Sequence, residues 1–230
     1  MPRDKICLSI KADALSVLQT KLDHAVRLDP DLIEARLDHL EKLNSEELGD
    51  LLGSQMKRIV LTLRTAEAGG AFQGNREEWT EQMHSIIDLE PRFVDLELSA
   101  VQENRYLVQR ARVRGVSVIV SWHDYEETPP HELLTQRLEE SKDLGDIAKI
   151  VTMGNTFSDN IEMLKLYTDS DNGELVAFCM GEAGMLSRVL ATRLGAPFTY
   201  ASLPGEPTGP GQPDIQELRR FFALVPNLED

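Results

Sequence analysis

Cysteine is scarce in this 230-residue chain: Cys7 and Cys179 are the only two, set far apart inside apolar stretches with no CxxC spacing. That argues against a disulfide scaffold or a thiolate metal site and leaves both thiols as small buried hydrophobes. No stretch approaches the ~20 apolar residues that a membrane helix needs, and the first residues carry no apolar segment of the secretory kind. Positive charge is short as well, with 24 Lys plus Arg against 39 Asp plus Glu and a formal charge of -15. A nucleic acid or an anionic membrane would meet a repelling surface. The glycine-rich dinucleotide turn is missing too: "KADALSV" follows the first apolar run, where a doubly wound sheet would carry GxGxxG. The expectation is a soluble, cytoplasmic protein that acts on a small molecule or binds another protein.

Against these absences stands a regular alternation. Short apolar runs recur as "ICLSI", "LIEARLD", "IVLTLR", "FVDLELS", "VSVIVSWHD", "IAKIVTM", "LVAFCMG" and "FTYAS". Between them lie stretches of helical period over residues 45–56, 76–88, 102–114, 130–144 and 159–168, so strand and helix alternate along the chain. Helix starts carry ordinary signals: Asn44-Ser45 before two glutamates, Thr128-Pro129-Pro130 before His131, and Ser158-Asp159 before Ile161. Eight such units with 41% hydrophobic residues suit one α/β domain over residues 1–230, a (β/α)8 TIM barrel. The Gly/Pro-rich stretch "SLPGEPTGPGQP", Ser202 to Pro213, reads as a mobile active-site loop before a last helix through Phe222.

In a barrel strand one face packs on helices and the other points inward. Taking Ile33, Ala35 and Leu37 as outward leaves Glu34, Arg36 and Asp38 inside. The same count turns Thr62 and Arg64 inward, then Asp95, Glu97 and Ser99, then Ile119, Ser121 and His123, with Lys149 in the middle of "IAKIVTM". Charged groups thus gather in the later halves of several strands, the end at which barrel active sites are built. The other reading is an ion-pair layer that only neutralises itself, and Asp95 and Glu97 suit it best. Apolar replacement of such ions is often neutral or stabilising, so a polar layer spread over several strands points to function.

A lysine out of water has its charged form disfavoured, and nearby arginines push the same way. An uncharged Lys149 could attack a carbonyl and form an imine. His123 ordinarily titrates close to working pH and could move the proton that the imine acidifies; a core histidine bonded to a carboxylate is the alternative. Arg36, Arg64 and Arg188 offer forks for a carboxylate and hydroxyls, although Arg188 in "GMLSRVL" would equally suit a solvated helix face. His24, His39, His84 and His131 fall in helical or connecting segments without metal spacing, so no metal is expected.

The segments "EARLD", "LTLRTAEAGG", "SWHDYEETP", "IAKIVTM", "MGEAGMLSR" and "TGPGQ" together resemble the type I 3-dehydroquinate dehydratase family, from the first strand to the last loop. The resemblance implies a (β/α)8 barrel that converts 3-dehydroquinate to 3-dehydroshikimate and water, with no metal or organic cofactor, often as a homodimer. It implies that Lys149 forms an imine with the C3 ketone and that His123 removes the C2 proton and returns it to the departing C1 hydroxyl. Glu34 and Arg36 match a pair that binds ring hydroxyls. Arg64 matches a substrate-side arginine, and Arg188 the one that clamps the carboxylate. Gln212 matches a glutamine that closes over the ring. Two positions depart from the pattern: Ala68, with Glu67 beside it, stands where a glutamate positions the histidine, and Thr208 stands where a serine is usual. Either Glu67 substitutes through a shifted loop or that role is absent.

Two other readings stay open. One is a barrel aldolase or transaldolase with the same imine chemistry, which would use backbone amides of the seventh and eighth loops as a phosphate cradle. The other is a non-catalytic barrel that binds an anionic metabolite.

Overall fold

All eight apolar runs form strands, because β-branched and aromatic side chains suit a pleated surface covered on both faces. The computed structural model describes residues 5–168 and 174–225. Its strands are β1 (Ile6–Lys11), β2 (Leu32–Arg36), β3 (Ile59–Thr62), β4 (Phe93–Glu97), β5 (Ser117–Asp124), β6 (Ile147–Met153), β7 (Leu175–Met180) and β8 (Thr199–Ser202). They are covered by α1 (Leu15–Arg27), α2 (Ser45–Leu52), α3 (Arg76–Ile87), α4 (Leu98–Glu103), α5 (Tyr106–Val113), α6 (His131–Lys142), α7 (Phe157–Lys165), α8 (Met185–Ala191) and α9 (Ile215–Leu224). The strands lie side by side in the order β7, β6, β5, β4, β3, β2, β1, β8, and the pairings are parallel. The result is a nearly closed (β/α)8 barrel.

Its seam lies between β7 and β8. Side chains bridge it: the rings of Phe178 and Tyr200 are 6.2 Å apart, and Arg188 Nη1 donates to the Tyr200 carbonyl at 3.2 Å. Alternation divides each strand as expected. Ile33, Ala35, Leu61, Val94, Leu96, Val118 and Val120 face the helices, whereas Cys7, Val60, Phe93, Ile119, Val176 and Phe198 fill the barrel interior. Register then sets Ser9 beside Glu34, Thr62 beside Asp95, and Ser121 beside Lys149. A buried polar layer therefore lies on the apolar interior cluster, towards the carboxyl ends of the strands.

Caps account for where the helices begin. Asn44 accepts from the amides of Glu46 and Glu47, and Asn75 and Thr156 form capping boxes with Glu78 and Asp159. The last of these moves the start of α7 back to Phe157, ahead of the Ser158-Asp159 signal. The helix expected over 102–114 is two helices instead. β4 passes directly into α4, and Asn104 Oδ1 takes the Tyr106 amide at 3.1 Å, ending one helix and opening the next. Ser99 is consequently an exposed residue of α4 and not an inward strand position.

Trp79 on α3 is fully buried and donates its Nε1–H to the Leu63 carbonyl at 2.7 Å, one residue before Arg64. Trp79→Phe leaves that carbonyl unpaired, at a cost of about 1–3 kcal/mol. A melting temperature lower by several degrees is expected in calorimetry, and an unchanged value would show that the bond does not fasten α3 to β3.

Candidate active site

A cavity opens at the carboxyl ends of the strands, the end at which barrel active sites are built. Glu34, Arg36, Arg64, His123, Lys149, Arg188, Thr208 and Gln212 all line it, joined by Thr62, Tyr125, Phe178 and Tyr200. Residues far apart in sequence meet here because each strand delivers the last inward positions of its run to the same end.

At its floor lies an ion cluster. Lys149 is 5% exposed, and its Nζ donates to Asp95 Oδ2 at 2.9 Å. The other oxygen of Asp95 accepts from Arg64 Nη2 at 2.7 Å and from Ser121 Oγ at 2.6 Å. Burial by itself would raise the pKa of Asp95, but the charges of Arg64 and Lys149 and the Ser121 bond reverse this and hold it well below the usual carboxylate range. Asp95 is thus a fixed anion. Glu34 completes the floor, with Oε1 accepting from Thr62 Oγ1 at 2.8 Å and standing 3.9 Å from Lys149 Nζ, while Oε2 takes the Ser9 hydroxyl.

Asp95, which suited an ion-pair layer, does pair with Arg64 and Lys149, and the same carboxylate accepts the hydrogen bond of the amine. One expectation needs correction: low dielectric and nearby arginines were expected to disfavour charge on Lys149, whereas its Nζ stands in an ion pair with Asp95 while still lining the cavity. Glu97, by contrast, takes the amide and hydroxyl of Thr65 at 2.7 and 2.9 Å and anchors the third loop. Asp38 lies beyond its strand in a 3-10 turn, where it accepts from Arg36 Nε and Nη2 at 2.9 and 2.7 Å and holds that fork at the cavity edge.

His123, near the end of β5, stacks on Tyr125 with ring centres 5.8 Å apart and planes 15° apart. Burial, then the positive charges of Arg64 and Lys149, push its pKa well below the ordinary 6.5 against the pull of Asp95. The resting ring is neutral and able to accept a proton. Its Nδ1 is enclosed and has no hydrogen-bond partner among the described residues. Glu67 sits exposed on the turn over 66–68 and shares only a side cavity with His123. The turn bends through Gly69 at φ 77°, where a Cβ would lie 2.2 Å from the Tyr125 ring.

Arg188 is 2% exposed, which rules out the solvated helix face. Its Cζ lies 4.1 Å from the centre of the Phe178 ring, and no carboxylate pairs with it among the described residues. Burial pushes its pKa down to about 9, so it is still a cation near neutrality. A buried cation without an anion is a site for one. Opposite, Gln212 Oε1 accepts from the Thr208 amide and hydroxyl at 2.7 and 2.9 Å, which fixes both over the cavity. Gly211, at φ 61°, packs so closely on Gly181 that a Cβ would come within 2.3 Å of its carbonyl carbon.

The sequence reading passed over Tyr125 and Tyr200. Tyr200 follows Phe198 by two residues and so shares its inward face, a signal that alternation in "FTYAS" already contained. Among the described residues no group of three or more His, Cys, Asp or Glu side chains could hold a metal ion, and no helix is long and apolar enough to cross a membrane.

Fold and cavity define a (β/α)8-barrel enzyme with its site at the carboxyl ends of the strands. Residues 6–229 match the model of the type I 3-dehydroquinase family, and the chain belongs to that family. It is 39% identical over 196 residues to 3-dehydroquinate dehydratase of Thermococcus gammatolerans, spanning 85% of this chain and 88% of that one. The enzyme of the same name from Methanocaldococcus jannaschii is 31% identical over 222 residues, 96% of this chain and 98% of that one. The solved 3-dehydroquinate dehydratase of Enterococcus faecalis superposes with a TM-score of 0.84 at 26% identity, covering 96% of this chain and 94% of that one.

The depressed pKa of His123 has a consequence for stability. The unfolded chain takes up the proton first as pH falls, so the folded state loses stability from about pH 6.5 downwards. Urea titrations at a series of pH values are expected to show a shallower acid loss for His123→Gln than for the wild type. Parallel curves would contradict the placement of a neutral, enclosed imidazole.

Proposed function

We propose that the chain is a 3-dehydroquinate dehydratase that eliminates water from 3-dehydroquinate to give 3-dehydroshikimate through an imine on Lys149. The observation that carries this reading is the amine itself: buried, lining the cavity, held by a fixed anion on β4, with a neutral imidazole on the neighbouring strand and an unpaired guanidinium at the seam. Arg188 takes the substrate carboxylate and so brings the C3 ketone to Lys149. Nζ, once deprotonated, adds to the ketone carbon, and loss of the ketone oxygen as water leaves a protonated C=N bond. That cation draws electrons from C2, and His123 accepts the C2 proton. The enamine so formed expels the C1 hydroxyl, which leaves as water with the proton that His123 returns. Hydrolysis of the imine frees product and lysine. Asp95 stays ionised throughout and lies beside the nitrogen while it is positive.

Glu34 and Arg36 bind ring hydroxyls, Arg64 serves the substrate side while holding Asp95, and Thr208 and Gln212 close over the ring. No cofactor enters this scheme. The reading includes a cytoplasmic location and a homodimer; Phe157 and Ile161, exposed one turn apart on α7, are apolar surface that pairing would cover.

A specific observation disfavours the aldolase reading. Amides of the seventh and eighth loops are engaged internally: Gly181 donates to the Pro210 carbonyl at 3.0 Å, Gly184 to Gly181 at 3.2 Å, and Thr208 to Gln212 Oε1 at 2.7 Å. They offer little cradle for a phosphate, whereas Arg188 suits a carboxylate.

Borohydride reduction in the presence of 3-dehydroquinate is expected to place an adduct mass on the peptide containing Lys149, and none in Lys149→Ala. Absence of that mass in the wild type would refute the imine. Arg188→Gln is expected to raise KM by about 10- to 150-fold, the loss of a charge-assisted bond. His123→Ala is expected to form the adduct yet turn over about 10²- to 10⁴-fold more slowly. Binding of 3-dehydroquinate without turnover by the wild type would favour a metabolite-binding barrel.

A further inference from the structure

We infer that Tyr200 is a positioning residue for the lysine chemistry: its ring face carries the positive charge of the nitrogen once Lys149 has become an iminium. The inference deepens the imine reading and rests on it. Lys149 Nζ stands 4.3 Å from the centre of the Tyr200 ring, well inside the ~6 Å over which an aromatic face attracts a cation. Tyr200 is 3% exposed and lines the cavity, so water does little to weaken the attraction. The ring is held in place: Phe198 meets it edge-on with centres 5.6 Å apart, and Phe178 tilts against it.

The value of an aromatic face lies in what it does not require. The ammonium of Lys149 has three N–H groups and spends one on Asp95 at 2.9 Å, with Glu34 at 3.9 Å. An iminium keeps a single N–H. Its charge persists while its hydrogen-bonding capacity falls, and attraction to the ring needs no N–H at all. The uncharged amine and the carbinolamine that precede the iminium feel none of this attraction. Tyr200 therefore favours the charged adduct over the neutral species on its path.

The same device recurs across the seam, where Arg188 lies over Phe178 and donates to the Tyr200 carbonyl. Two neighbouring rings thus carry the two cations that, on the proposed reading, meet the carboxylate and the ketone carbon of the substrate. The Tyr200 hydroxyl is enclosed and has no hydrogen-bond partner among the described residues, so the geometry uses the ring face.

Borohydride trapping with 3-dehydroquinate, read alongside turnover and melting temperature, tests the inference. Tyr200→Phe keeps the face and is expected to trap within about twofold of the wild type. Tyr200→Leu is expected to lower the initial trapping rate and kcat by about 3- to 10-fold with little change in KM, because the resting ammonium loses the same contact but keeps its bond to Asp95, whereas the iminium has a single N–H with which to replace the ring. Singly, doubly and triply fluorinated phenylalanine at position 200 keep the shape while draining the face. Trapping is expected to fall stepwise along that series at constant melting temperature. A flat series, or a leucine variant that traps like the wild type, overturns the inference and leaves the imine reading standing; no adduct in the wild type overturns both.

Discussion

The contact between Asp95 and Lys149 organises the rest of the barrel. Asp95 sits on β4 and touches Arg64 just past β3, Ser121 on β5 and Lys149 on β6, so one carboxylate ties together the polar ends of four consecutive strands. Burying ions is costly unless each is paired and hydrogen-bonded. Here two cations share Asp95, with Glu34 and Glu97 close by. Removing any one member strands the others in a medium that cannot solvate them. An arrangement so expensive to break is retained, on the reading above, because the amine it holds must change charge during a reaction.

Charge is distributed unevenly between surface and site. The chain as a whole is strongly acidic, at -15, yet Arg36, Arg64, Lys149 and Arg188 all line one cavity. A small anion outside is repelled only weakly, because exposed charges are screened within about 8 Å at physiological salt. Inside the barrel mouth screening is poor, and the unpaired Arg188 dominates. Asp38 occupies the fork of Arg36 and Asp95 that of Arg64. Arg188 has no such acid among the described residues, so on the proposed function the seam is where the substrate carboxylate is held.

Much of this was legible in the sequence, for a physical reason. A two-residue repeat assigns faces reliably when both faces are buried, so the strands and the inward set of Glu34, Thr62, Ser121, His123 and Lys149 follow from counting. The repeat says nothing about partners. Asp95 was recognisably inward, but its bond to the amine depends on the register of β4, β5 and β6, which no local pattern specifies. Arg188 was ambiguous for the same reason: it lies on a helix, and only the open seam between β7 and β8 turns it into the cavity. Ser99 and Asp38 were misplaced because the chain leaves the strand two residues earlier than its apolar run suggests. Ala68 and Glu67 were left open by the sequence, and here Glu67 is exposed on its turn while His123 Nδ1 has no hydrogen-bond partner among the described residues.

The most direct test is the turnover of Asp95→Asn, which keeps the shape of the side chain and removes its charge. If the fixed anion holds the lysine and supports its cationic adduct, a folded Asp95→Asn enzyme, verified by circular dichroism, will lose kcat by about 10²-fold or more, the scale of a missing preorganised charge. Wild-type kcat in a folded Asp95→Asn variant would contradict the account.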